Sequence, residues 1–131
     1  MEFHENFEKE GLKQFFRKVS VISVPVLKGE AFGIYLLEAM ASGIPVIQPA
    51  LGAFPEIVNT SGGGETYFPN EPEQLETELK AMFSNPEEMD RISREGRKGI
   101  ESKFHVKGQV KKMLAVYQKA IDKNKKEKNR P

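Results

Sequence analysis

The chain of 131 residues has no cysteine, which removes disulfides, thiol catalysis and thiolate metal sites together. Its only histidines, His4 and His105, lie far apart without companion ligands, so each reads as a surface or helix-end residue and no metal site is expected. No uncharged apolar stretch reaches the roughly 18 residues of a membrane span, because Gly43, Pro45, Pro49 and Gly52 interrupt the longest candidate. The opening MEFHENFEKE is acidic and polar, unlike an export signal, and the expected location is cytoplasmic. Several chemistries lack their signatures. Ser61-Gly62-Gly63-Gly64 has no Gly-Lys-Ser/Thr ending, no G-x-G-x-x-G follows a strand, and no G-x-S-x-G occurs. Asn59-Thr60-Ser61 fits a glycosylation pattern that arises often by chance.

What is present suits one globular domain, with 38% hydrophobic and 30% charged residues. The net charge of +1 hides an asymmetry: Lys and Arg are the minority before residue 103 and dominate after it. A basic end can hold anionic surfaces or nucleic acid, but KNKKEKNRP has no aromatic for base stacking and no apolar face. We therefore expect one truncated domain over residues 1–122 and a basic, frayed tail over 123–131. No nucleic-acid partner is expected, and at most a weak peripheral membrane contact.

Periodicity suggests a short strand over residues 2–7 and an amphipathic helix from Glu8 to Lys18 with Leu12, Phe15 and Phe16 on its apolar side. Ser20 to Val26, SVISVPV, is β-branched and uncharged, as in a buried strand. A helix from Phe32 to Ser42 follows, capped by Gly43 in the left-handed conformation, and then the short strand PVIQP. Pro55 and Glu56 suit the first turn of another helix. A glycine turn and the strand Thr66 to Phe68 lead to three helices, over Glu71 to Phe83, Pro86 to Phe104 and Val106 to Lys123. Asn85-Pro86 and Phe104-His105 mark the breaks. This alternation predicts an α/β fold with a short parallel sheet of about three or four strands flanked by helices. The last helices are expected on its face or across its edge.

The stretch GEAFGIYLLEAMASGIPVIQPALGAFPE, Gly29 to Glu56, carries the clearest functional signal. Between Ala31 and Pro55 the only charged residue is Glu38, inside an apolar helix, and Glu30 stands before that helix. Ligands in parallel sheets lie at the carboxyl ends of strands, which places Glu30 and the amides of Ala31, Phe32, Gly33 and Ile34 at the expected binding end. Unpaired amides at a helix start suit a phosphate or a developing negative charge. In a regular helix Glu30 and Glu38 would lie within about 80° of one another around the axis. They could then share an elongated ligand but not a proton, unless the chain bends at Gly33. A buried Glu38 needs donors, which two vicinal ribose hydroxyls could supply. On helix patterning alone the plainer reading leads: Glu30 is solvated, and Glu38 pairs with a basic side chain such as Lys28.

EAFGIYLLE followed by AMASGIPVIQ closely resembles the E-x7-E motif, and the run after it, of retaining GT-B glycosyltransferases of the group 1, family 4 type. ALGAFPEIV, SGGGETYFPNEPEQL and EGRKGIESKFHVKGQVKKMLAVY resemble that family's subsequent segments, so nearly the whole chain is covered. The resemblance implies a partial Rossmann-like domain, the C-terminal, nucleotide-sugar-binding part of an enzyme that transfers a hexosyl group with retention, generally without a metal or other cofactor. It implies that Glu30 lies beside the donor sugar and helps stabilise charge at the anomeric carbon. The backbone of Ala31, Phe32, Gly33 and Ile34 would hold sugar and diphosphate, and Glu38 the ribose.

Several positions depart from the family pattern. Ala31 stands where the family has Gly, Pro25-Val26 lies one residue further from the first glutamate than the usual Pro-Ser pair, Ala53 replaces a second Gly, and Gln48-Pro49 a small polar pair. The chain starts at what resembles the third strand of the donor domain, without the acceptor domain or the Arg and Lys set against the donor phosphates. We expect the isolated piece to be inactive, with an irregular first strand or an open edge that pairs with another copy or with the remainder of the enzyme. The alternatives are a binding module that completes a partner glycosyltransferase, and a GT-B epimerase or phosphorylase relative. The latter lacks support, since Lys28 is the only lysine near the motif.

Overall fold

The computed structural model describes residues 9–128. Helix α1, Lys9–Phe16, precedes an extended segment that meets the sheet at one point, and α2 spans Ile34–Ala41. Strand β1, Val46–Pro49, is buried at all four positions. It runs parallel to β2, Gly64–Tyr67, with Val46 opposite Gly64 and Pro49 opposite Tyr67. Helix α3, Phe54–Ser61, connects them. As its sequence predicts, α3 has Pro in its first turn together with Glu56; it ends at Gly62 in the left-handed conformation. Helices α4, Pro72–Ser84, α5, Pro86–Lys103, and α6, Val106–Lys128, complete the order.

Among the described residues the sheet has two strands, fewer than the three or four expected. SVISVPV contributes only an isolated parallel bridge between Ile22 and Val46. Ile22 N–H donates to Pro45 O at 3.0 Å, and Ile47 N–H donates to Ile22 O at 2.9 Å. There the ladder stops, because Val24 N–H donates to the side-chain Oε1 of buried Gln48 at 3.2 Å, and Pro25 has no amide to give. Among the described residues no further strand pairs with the Ile22 segment. The strand expected over residues 2–7 lies outside the described residues.

Successive strand side chains point to opposite faces, and β1 divides the core accordingly. Val46 packs with Leu36 and Met40 of α2, Phe54 and Val58 of α3 and Ile100 of α5. Ile47 packs with Tyr67, Met82 of α4 and Ile92 of α5. Helix α5 reaches both clusters because its approach side is bare. A Cβ on Gly96 would lie 2.5 Å from Gly63 Cα, and one on Gly99 would overlap the Ser61 carbonyl. The Asn85 side chain accepts from Glu88 N–H at 3.2 Å at the start of α5. His105 does the same for α6, its Nδ1 accepting from Gly108 N–H at 2.9 Å. Helix α6 continues unbroken past residue 122, and Val110, Met113, Leu114, Tyr117 and Ile121 along it remain exposed. Thus α4 and α5 pack on the sheet as expected, whereas α6 leaves its apolar side open.

Candidate functional site

Two loops meet at the carboxyl end of the sheet. One follows the Ile22 segment and ends in Glu30; the other, after β1, contains Gly52 and Ala53. Ala53 N–H donates to the Glu30 carbonyl at 3.0 Å. Gly52 has φ +55°, and a Cβ on it would lie 2.8 Å from Glu30 N and overlap the Glu30 carbonyl oxygen. From the other side, a Cβ on Gly29 would lie 2.9 Å from both Gly52 N and Gly52 Cα. The backbone around Glu30 therefore rests directly on the backbone of the second loop.

Helix α2 begins later than its sequence suggests. Gly33 is its N-cap, with φ 71° and ψ 62° in the left-handed region, which a residue with a side chain rarely adopts. The space at Gly33 is also filled: a Cβ there would lie 3.3 Å from the ring of buried Phe54 and 3.4 Å from Glu30 Cγ. Because the chain turns at Gly33, Glu30 is outside the helix, and the angle that a regular helix would set between Glu30 and Glu38 does not apply.

The predicted residues fare differently. Glu30 is partly buried, and its Oε1 accepts from Ala31 N–H at 3.0 Å, so the Ala31 amide is occupied. The amides of Phe32, Gly33 and Ile34 have no partner among the described residues. They are three successive free donors within four residues of the Glu30 carboxylate. The side chains of Phe32 and Ile34, 47% and 63% exposed, line a groove of about 750 Å³ that passes Glu56 and ends at Lys103 and Lys112. Glu38 is exposed, not buried in apolar surroundings: Leu36, Ala39 and Met40 of α2 are buried, and Tyr35 and Leu37 pack partly against the core. It makes no ion pair among the described residues, with Lys28 or any other cation. An exposed carboxylate is solvated by water and has no need of ligand hydroxyls.

Tyr35 belongs to this neighbourhood and escaped the sequence reading. Burial, followed by the charge of Glu30, holds its phenol above the usual range, and its hydroxyl oxygen is buried without a partner. As one aromatic residue in an apolar helix it gave no signal of its own. Gly52 stood out in the sequence only as a break in an apolar stretch, and its contact with Glu30 was not legible there. Among the described residues no three His, Cys, Asp or Glu side chains are grouped so as to hold a metal ion, and no helix is long and apolar enough to cross a membrane.

A helix start with free amides, beside a carboxylate and at the carboxyl end of parallel strands, is the arrangement of nucleotide-binding α/β domains. The sequence profile of the glycosyl transferases group 1 family matches residues 1–99, and the chain belongs to that family. It is 31% identical over 113 residues to the MMP alpha-(1->4)-mannosyltransferase of Mycolicibacterium hassiacum, covering 86% of this chain and 27% of that one. Sucrose-phosphate synthase from Thermosynechococcus elongatus superimposes with a TM-score of 0.79 at 24% identity, covering 92% of this chain and 30% of the synthase. HepE from Anabaena, solved in complex with UDP and glucose, does so with a TM-score of 0.71 at 20% identity, covering 82% of this chain and 30% of its own. These superpositions identify the fold as that of a GT-B C-terminal domain, and the chain spans less than a third of each protein compared here.

Proposed function

We propose that this chain supplies the donor side of a retaining glycosyltransferase, binding a nucleoside diphosphate sugar from which a hexosyl group is transferred to an acceptor. The observation that carries the reading is the set of unpartnered amides of Phe32, Gly33 and Ile34 beside Glu30. The positive end of the α2 dipole favours a diphosphate there, and Glu30 is the acceptor for the sugar hydroxyls and the counter-charge for the anomeric carbon. HepE, of the same fold, holds UDP and glucose. Glu38, exposed beyond the first turn of α2, is free to take the ribose hydroxyls. No metal takes part in this reading, since amides and helix dipole meet the phosphate charge.

The chain alone is proposed to bind without appreciable turnover, because transfer needs the acceptor aligned against the donor. The remainder of the enzyme then docks along the side of the Ile22 segment that is unpaired among the described residues, a site where a second copy could also add. Calorimetric titration with UDP, GDP and ADP, repeated on Glu38→Ala, tests the site. One nucleotide should bind and do so more weakly in the variant. Equal binding by wild type and Glu38→Ala would remove the ribose assignment, and no binding of any nucleotide would contradict the donor reading.

A further inference from the structure

We infer that Gly52 and Gly29 are positioning residues for Glu30: the glycine-on-glycine contact between the two loops sets where the Glu30 carboxylate stands. This deepens the donor reading above and rests on it for its functional meaning. Two features of the backbone meet at Glu30, and a third ties its neighbour Gly29 to the same loop. Gly52 meets the Glu30 N and carbonyl oxygen at distances that admit no Cβ, Gly29 meets Gly52 N and Cα equally closely, and Ala53 N–H holds the Glu30 carbonyl at 3.0 Å. The Glu30 side chain is then turned back onto its own chain, with Oε1 accepting from Ala31 N–H at 3.0 Å and Cγ against the bare face of Gly33.

The atoms a new Cβ would strike are backbone, which cannot swing aside as a flexible side chain can. A methyl on Gly52 must therefore push the Glu30 peptide outward, and its left-handed φ of +55° adds strain. A methyl on Gly29, where no such strain exists, produces a milder displacement of the same contact. Helix α3 begins at Phe54, so the second loop is anchored to the core immediately after the contact. The first loop is held at Val26, by Asn70, and again at buried Gly33, both further along the chain from the contact than Phe54 is from Gly52, and it is the one that moves.

The test follows the Ala31 amide by nuclear magnetic resonance in the labelled chain. In the wild type the bond to Glu30 Oε1 protects this amide from exchange with solvent, and Glu30→Ala abolishes that protection. Gly52→Ala and Gly29→Ala should each reduce it several-fold, with the β1 and β2 amides unchanged. If the donor reading also holds, affinity for the bound nucleotide's glucose or mannose conjugate should fall about tenfold, while affinity for the nucleoside diphosphate stays within about twofold. Wild-type Ala31 protection in a folded Gly29→Ala chain would overturn the inference. So would loss of the β1 and β2 signals in Gly29→Ala, because the contact would then hold the sheet rather than the carboxylate. Lost Ala31 protection with no change in the affinity ratio would leave the loop geometry intact and count against the donor reading instead.

Discussion

Leu36 and Leu114 both lie on helices with an apolar side, and the fold treats them in opposite ways. Leu36 is 0% exposed and Leu114 is 62% exposed. The difference is one of return. Residues distant in sequence come back onto α2: Phe54 and Val58 of α3, Ile100 of α5 and Phe16 of α1 share its core cluster. Nothing described comes back onto the apolar stripe of α6, where Val110, Met113, Tyr117 and Ile121 stay about half exposed. Periodicity announces an apolar side in both helices, but burial is decided by whether another element arrives to meet it. The α2 end of the molecule is thereby a fixed platform for Glu30, while α6 presents a surface.

Substitutions should expose that contrast. Phe54→Ala empties the ring position that supports Gly33 and is expected to cost about 4 kcal/mol. Leu114→Ala should change stability by no more than about 0.5 kcal/mol. Urea unfolding of both variants compares them, and similar losses would mean that α6 is packed in solution. Gly99→Ala comes next, at about 2 kcal/mol, since α5 must retreat from the Ser61 carbonyl; a neutral result would show that α5 is held loosely.

The smallest effect concerns pH. Burial, then the charges of Glu78 and Glu88, hold the Glu65 carboxyl above its usual range against the lowering pull of Arg91. The folded chain therefore binds a proton that the unfolded chain releases. Stability from this group is fully present below the ordinary carboxyl value and is lost as pH climbs through the raised folded one. Glu65→Gln should flatten this part of the pH profile in unfolding experiments at about pH 4 and pH 7. An unchanged slope would assign it to other groups.

Features written in adjacent residues were legible in advance. Pro55 with Glu56 opens α3, Asn85-Pro86 separates α4 from α5, and Gly43 takes its left-handed conformation at φ +79°. What failed depended on distant partners. The SVISVPV strand is cut short because the Gln48 side chain, brought in from β1, takes the Val24 amide, and no local pattern encodes that. Glu38 sits among apolar neighbours in sequence, yet an eight-residue helix does not reveal which side has a neighbour in space. At the proposed site, the motif singled out Glu30 and the amides after it, and the structure leaves those of Phe32, Gly33 and Ile34 without a partner among the described residues. The turn at Gly33 and the Gly52 contact were not legible, because they arise where two loops separated in sequence meet.

The most direct test of a donor site at the start of α2 is to map amide shifts in the labelled chain as UDP, GDP or ADP is added. The account predicts that one nucleotide moves the amides of Phe32, Gly33 and Ile34 most, with those near Glu30 following and α4 and α6 unaffected. Shifts concentrated in α6 or along the Lys103 and Lys112 end of the groove, with the three α2 amides unmoved, would contradict it.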